Sequence, residues 1–223
     1  EVKLLWPLSA NADYALTGPA NPVAESFSNI YVQKYAAPNS AAIWPTSSGY
    51  TATRTTQRNL IVGDAWPTGE IDEVSTRYMQ FGIAASQGTE LNIDSIGLYI
   101  CGAGGNGMRC RISYSTNKFA DYKVVQEFQS MTANTVYAAS AIPVVKLAYG
   151  DTLLVRVYPW FSSAATGKTI CLADVCIHGM ATNATAIKRV KSELRASCYP
   201  VLTNDRTTLD YTLNNPSDVT ISV

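Results

Sequence analysis

The sequence predicts an all-β fold: an antiparallel, jelly-roll-like β-sandwich over residues 1–180, then a linker and a β-hairpin over 181–223. Three observations predict it. Apolar and polar residues alternate in short runs, the pattern of strands that place one face on a core. Gly, Pro, Asn and Thr recur between those runs, as turn residues do. The periodicity of an amphipathic helix is hard to find.

Each element has its own justification. Residues 3–8 open the sandwich, and the weakly patterned stretch 11–45 contains one strand, 28–35. Strand 76–83 places Arg77, Met79, Phe81 and Ile83 on one face and Tyr78, Gln80 and Gly82 on the other. Strand 90–101 follows, and strand 108–115 then opposes Cys110, Ile112 and Tyr114 to Arg109, Arg111 and Ser113. Strands 123–128 and 136–145 precede strand 152–160, where Leu153, Val155 and Val157 face away from Arg156, Tyr158 and Trp160. In strand 168–178, Cys171, Ala173, Val175 and Ile177 oppose Ile170, Leu172, Asp174 and Cys176. Residues 182–196 read as a linker or a short helix. Residues 208–223 read as strand, turn, strand, with Asn214-Asn215-Pro216-Ser217 as the turn. A lone hairpin is marginal in water, so this one is expected to dock on the main domain or to begin a further Ig-like domain.

With 223 residues and 47% hydrophobic content, the chain can build one large β domain and a smaller piece. Seventeen basic residues balance 17 acidic ones, so the basic footprint of a nucleic-acid binder is missing. No apolar run approaches the ~18 residues of a membrane-spanning helix. The first residues read as the start of a strand rather than a signal peptide. A secreted or cell-surface protein is expected from the many Tyr, Thr and Ser, the low Lys and the single His, and the chain is then a mature fragment or an internal piece.

The five cysteines are Cys101, Cys110, Cys171, Cys176 and Cys198, an odd number. A Cys101–Cys110 staple across the Gly-rich loop, a Cys101–Cys171 bridge and buried free thiols all remain open.

Acid–base catalysis through histidine would have to use His178, at a strand end where a plain surface role is the better expectation. Carboxylates are scattered, apart from Glu70, Asp72 and Glu73 in one loop. That loop is the candidate for a structural calcium, because hard cations take several oxygen ligands; a solvated acidic loop is the alternative. No cofactor is required. Gly102-Ala103-Gly104-Gly105-Asn106-Gly107 leads into a strand, whereas a phosphate loop opens a helix. It is expected to be a flexible connection between antiparallel strands, one that lets backbone amides approach a ligand.

Parity assembles the candidate binding face. Tyr78 and Gln80, Arg109 and Arg111, and Arg156, Tyr158 and Trp160 form one polar and aromatic surface if their strands are neighbours. Aromatic rings suit the C–H faces of sugars, and Arg forks suit uronate carboxylates. Asn106 in the glycine loop and Trp66, with Trp44, extend the surface; both tryptophans precede proline and equally suit a plug at the end of the sandwich. Several arginines on adjacent strands repel unless acids or a ligand balance them.

Several phrases carry a family resemblance: Trp6-Pro7-Leu8, Ala65-Trp66-Pro67, Arg77-Tyr78-Met79-Gln80-Phe81, the run from Ser95 through the glycine loop to Arg109, Arg156-Val157-Tyr158-Pro159-Trp160, and Gly167-Lys168-Thr169-Ile170-Cys171-Leu172. Over residues 1–180 the chain resembles a β-sandwich module attached to secreted bacterial polysaccharide-degrading enzymes, pectate lyases among them. Tyr211-Thr212-Leu213-Asn214-Asn215-Pro216 resembles the opening of the Ig-like C-terminal sorting domains of type IX secretion. The resemblance implies a noncatalytic carbohydrate-binding module that holds a catalytic domain of the same longer polypeptide on plant cell-wall polysaccharide, pectin first, xylan or another glycan second. A structural or adhesion module without glycan binding is the alternative, and a polysaccharide-degrading enzyme domain the third reading.

Overall fold

The computed structural model of the chain describes residues 1–9, 13–36, 56–184, 195–199 and 208–212. Compact packing divides the chain into a unit over 1–183 and a unit over 184–223.

The first unit is an antiparallel sandwich. Its larger sheet contains β1 (Val2–Trp6), β2 (Ala15–Thr17), β4 (Ile30–Ala36), β5 (Thr56–Ile61), β7 (Thr89–Ala103), β10 (Val136–Ala141), β11 (Val145–Leu147) and β13 (Thr169–Asn183). The smaller sheet contains β3 (Ala20–Ser28), β6 (Tyr78–Ala85), β8 (Met108–Ser115), β9 (Lys123–Met131) and β12 (Thr152–Trp160), in the order β3-β6-β12-β8-β9. The alternation behind β6, β8 and β12 is observed: Met79, Phe81, Ile83, Cys110, Ile112, Leu153, Val155 and Val157 are fully buried in the shared core. Trp6 meets Phe81 across the sandwich at 5.4 Å between ring centroids, so β1 of one sheet is keyed to β6 of the other.

The larger sheet is built on two 15-residue strands, β7 and β13, paired along almost their whole length. Short strands line their outer edges. β5 pairs with the first part of β13 (Ile170↔Asn59) and β1 with the later part (Leu4↔Ile177), while β10 and β11 share the far edge of β7.

Strict alternation along β13 is overturned. Ile170 and Leu172 point into the core, and so do Val175 and Ile177. The register shifts between Ala173 and Cys176, and Asp174 there takes φ +49°. This β-bulge inserts a residue and exchanges the two faces. A second irregularity, between His178 and Gly179, does the same to β7, whose core side passes from Ile93 to Ile96. Before the bulge, Cys171 and Ala173 lie on the outer face with Cys101 and Ala103.

Three strands of the first unit escape the sequence pattern, and a strand at Arg195–Tyr199 in the second begins where a linker or short helix was expected. β2 is only three residues long, β3 carries a proline and an internal register shift, and β5 reads as polar although Thr56, Gln57 and Asn59 are buried. The glycine loop is no hairpin, because β7 and β8 belong to different sheets and the loop carries the chain between them. Gly104 (φ +81°) lies so close to Gly167 that a Cβ would collide with its carbonyl.

In the second unit, β14 (Arg195–Tyr199) pairs with β15 (Thr208–Thr212). The expected strand at 208 is present, but its partner lies upstream. The Asn214–Ser217 turn and the strand beyond it fall outside the described residues, as does Trp44.

Two glycines test the ladder. A Cβ on Gly179 would sit 2.3 Å from the Asn92 carbonyl oxygen, whereas one on Gly97 meets nothing closer than 3.9 Å. Gly179→Ala should therefore destabilise the domain by about 1–3 kcal/mol, and Gly97→Ala should stay within about 0.5 kcal/mol of the parent. Urea unfolding of the two variants measures the contrast.

Candidate functional site

The strands that parity required to be neighbours are neighbours. β12 lies between β6 and β8, with Arg156 opposite Gln80 and Ser113, Tyr158 opposite Arg111, and Trp160 opposite Arg109. Tyr78 completes the row beside Tyr158, their rings 5.9 Å apart. The expected constellation thus exists on one face of the smaller sheet.

Most of that face is roofed. Trp160 is 0% exposed and Tyr158 5%. The acidic loop that was a metal candidate supplies part of the roof. Arg111 donates from Nε to Glu127 at 2.6 Å, pairs with Asp72 at 3.0 Å and bonds Glu73. Arg77 grips Glu70 with both terminal nitrogens at 2.7 Å and lies over the Trp66 ring. Glu70, Asp72 and Glu73 are therefore bound to arginines in place of a cation, and among the described residues no group of His, Cys, Asp or Glu is arranged to hold a metal ion. Burial pushes the Glu73 carboxyl up, against the attraction of Arg111. For Arg111 burial works against the charge, yet Glu127, Glu73 and Asp72 outweigh it and hold the guanidinium charged. The acids that Arg111 required come from the chain itself.

A second cover is the loop after β8. Lys118 and Phe119 both take positive φ, 59° and 65°, a conformation that costs energy in residues with a Cβ. Ser115 Oγ accepts from the Phe119 amide at 2.9 Å, and Asn117 Oδ1 accepts from the Asp121 amide at 3.0 Å, which holds the turn. Phe119 then stacks on Arg156, whose guanidinium lies between Phe119 at 4.1 Å and Tyr78 at 3.8 Å. Gln80 Oε1 accepts from Arg156 Nε at 2.8 Å, and the Tyr158 hydroxyl accepts from Arg156 Nη1 at 3.3 Å. Burial pushes the Tyr158 phenol up.

Two further candidates act as struts. Trp66 is 2% exposed, bridges to Ala165 and donates from its indole to the Lys168 carbonyl at 3.0 Å, so it plugs one end of the sandwich. Asn106 accepts the Ala133 amide at 2.8 Å and, through its carbonyl, the Lys168 ammonium at 2.8 Å. Of the expected ligand contacts, Trp160, Tyr158 and Trp66 are buried in packing, and Arg111 is held by Asp72, Glu73 and Glu127. Tyr78, Gln80, Arg109 and Arg156 stay half-buried at the margin of that packing.

Among the described residues, an open groove of about 600 Å³ crosses strands on the outer face of the larger sheet. Register explains it. Ser140, Gly97, Cys176 and Leu5 occupy one row across four strands, and the first three are short. Ala138 and Tyr99 form the next row on one side, and Lys3, His178 and Ser95 the row on the other. A low row between taller ones is a trench, about 14 Å long across four strands. Asp174 lines it from the bulge, 9% exposed and at positive φ. His178 bonds Asp94 at 2.6 Å and approaches Glu1 at 3.5 Å, so both ring nitrogens face carboxylates rather than a nucleophile. Within β7 only the run Gly97-Leu98-Tyr99 belongs to the trench; its other members come from distant strands.

The roof predicts which changes harm folding. Arg111→Ala leaves Glu73 and Glu127 facing each other and should cost about 3 kcal/mol at neutral pH. Carboxyl groups raised in the folded state favour folding at low pH and oppose it as pH rises through their folded values. The deficit of Arg111→Ala should therefore shrink toward pH 4. Trp160→Ala should cost about 3–5 kcal/mol at every pH. Chemical denaturation across pH separates the two behaviours.

No family model matches the chain, and no curated protein matches it. A solved structure described as "CBM4 structure and function" is similar at a TM-score of 0.32 and 14% identity, over 68% of this chain and 95% of that chain. A likeness this distant leaves the groove to be read from its own residues.

Proposed function

We propose that the chain is a noncatalytic carbohydrate-binding module that takes a glycan strand in the trench on the larger sheet. The observation that carries the reading is the row Ser140, Gly97, Cys176 and Leu5, sunk beside Tyr99. A sugar ring has C–H faces that rest on an aromatic wall and hydroxyls that need polar partners at the rim; Tyr99 offers the first, and Lys3, Ser140 and Asp174 the second. A groove that crosses four strands accepts a polymer. Lys3 supplies a cation for the carboxylate of a uronate, so pectin-type polymers come first, and xylan or another glycan second. Attachment to a catalytic domain on a longer secreted or cell-surface polypeptide completes the proposal, as does kinship with the pectate-lyase-associated modules and, through the second unit, with type IX sorting domains.

Affinity electrophoresis against polygalacturonate, xylan and β-glucans tests the reading. Retardation by at least one polymer is expected. Tyr99→Ala, which removes the wall, and Gly97→Val, which fills the floor where a Cβ has room, should each weaken binding at least ~10-fold, or about 1.4 kcal/mol; Gly97→Val should do so with an unchanged unfolding midpoint. Trp66→Ala is expected to lose stability instead. Absence of retardation by every polymer, or binding indifferent to both trench variants, would falsify it and favour a structural or adhesion module. Release of soluble sugar from any of these polymers would favour an enzyme.

A further inference from the structure

The geometry points to a disulfide site between Cys101 and Cys171 that staples the two central strands of the larger sheet, whatever the trench binds. The two residues are direct cross-strand partners of β7 and β13. Both side chains lie on the outer face, in one small buried cluster with Ala103 and Ala173, against which Tyr99 and Val136 pack. Directly opposite residues of an antiparallel pair have Cα atoms about 4.5–5.5 Å apart, inside the window of about 4.4–6.8 Å that a disulfide spans.

Geometry also removes the rival bridges among the described cysteines. Cys110 points into the core from the other sheet, so a Cys101–Cys110 staple would have to pass through the larger sheet. Cys176 is opposite Gly97, four residues along β7 from Cys101, which is about 13 Å at the strand rise and beyond reach. The register is decisive here, because directly opposed residues share a face and Cys171 stands opposite Cys101 on the outer one.

Both thiols are free in the structure, and the reduced pair is chemically quiet. Burial pushes Cys101 up to about 12, and the neighbouring Cys171 adds to the rise; burial likewise raises Cys171. Attack needs a thiolate, so the folded pair exchanges slowly and the bond is made while the chain folds. The oxidant is a small-molecule disulfide. One cysteine thiolate attacks it, forming a mixed disulfide and releasing one reduced thiol. The second cysteine loses its proton and displaces the other half. Two cysteine thiols are thereby oxidised to one disulfide as one external disulfide is reduced to two thiols. The bridge spans residues 101 to 171, and so constrains a long stretch of the unfolded chain.

The experiment refolds the full chain from denaturant in a mixture of reduced and oxidised glutathione, with refolding in excess reductant as the control. Digestion under non-reducing conditions and mass spectrometry should recover a peptide pair joined through Cys101 and Cys171, in the parent and in a Cys110→Ala/Cys176→Ala/Cys198→Ala variant. If that variant does not fold, the parent map alone decides. The bridged form should unfold about 5–10 °C above the reduced form. Cys101 recovered as a free thiol, joined to a different cysteine, or bridged in a form that melts at or below the reduced protein overturns the proposal.

Discussion

The ladder between β7 and β13 sets the register of everything else in the larger sheet. Both strands are 15 residues long, and every other strand of that sheet is shorter. β1 and β5 share one edge of β13 without colliding because each takes a different portion of it, and the bulge at Asp174 falls where β1 takes over. With perfect alternation, Val175 and Ile177 would join Cys171 on the outer face, and half of the ladder would turn its apolar side to water. One inserted residue moves them into the core, a case of side-chain period two making a single-residue slip exchange whole faces. The same slip leaves short side chains in the outer row where the trench runs. Core and groove are therefore two results of one irregularity.

The two sheets use their outer faces differently. On the smaller sheet the cations and rings meet acids and rings of the same chain, and the surface closes under its own loops. Arg111 surrounded by Asp72, Glu73 and Glu127 is satisfied as it stands. Extracting it to bind an external carboxylate would exchange several close ion pairs for one. On the larger sheet the outer row between Tyr99 and Lys3 is low because its residues are small, and low residues leave room for a ligand. Polar richness proved a poor guide to the open site, since a face rich in charge is also the face most able to recruit a cover.

Much of the fold was legible. The runs at 76–83, 108–115 and 152–160 identified core residues such as Phe81, Ile112 and Val155 by alternation alone, because each strand is regular where it packs. They are also neighbours, the condition on which the polar and aromatic face depended. What failed was exposure. Nothing local to Trp160 or Tyr158 reports that the 70–73 loop or Phe119 lies over the same sheet. Asp174 was equally opaque: Leu172-Ala173-Asp174-Val175 reads as unbroken alternation, and a bulge there follows from pairing with strands more than seventy residues away.

The sequence by itself determined the all-β class, the core faces of the regular strands and the presence of a polar, aromatic face, since these follow from side-chain order along a pleated chain. It also determined that the arginines of that face needed balancing charge. Only the tertiary structure decided that Glu73, Asp72 and Glu127 supply it, that Cys171 rather than Cys110 stands opposite Cys101, and that the open trench is on the other sheet. Those outcomes depend on which distant strands pair and in what register. Pairing is set by the summed fit of the whole core, a quantity that no short stretch of sequence contains.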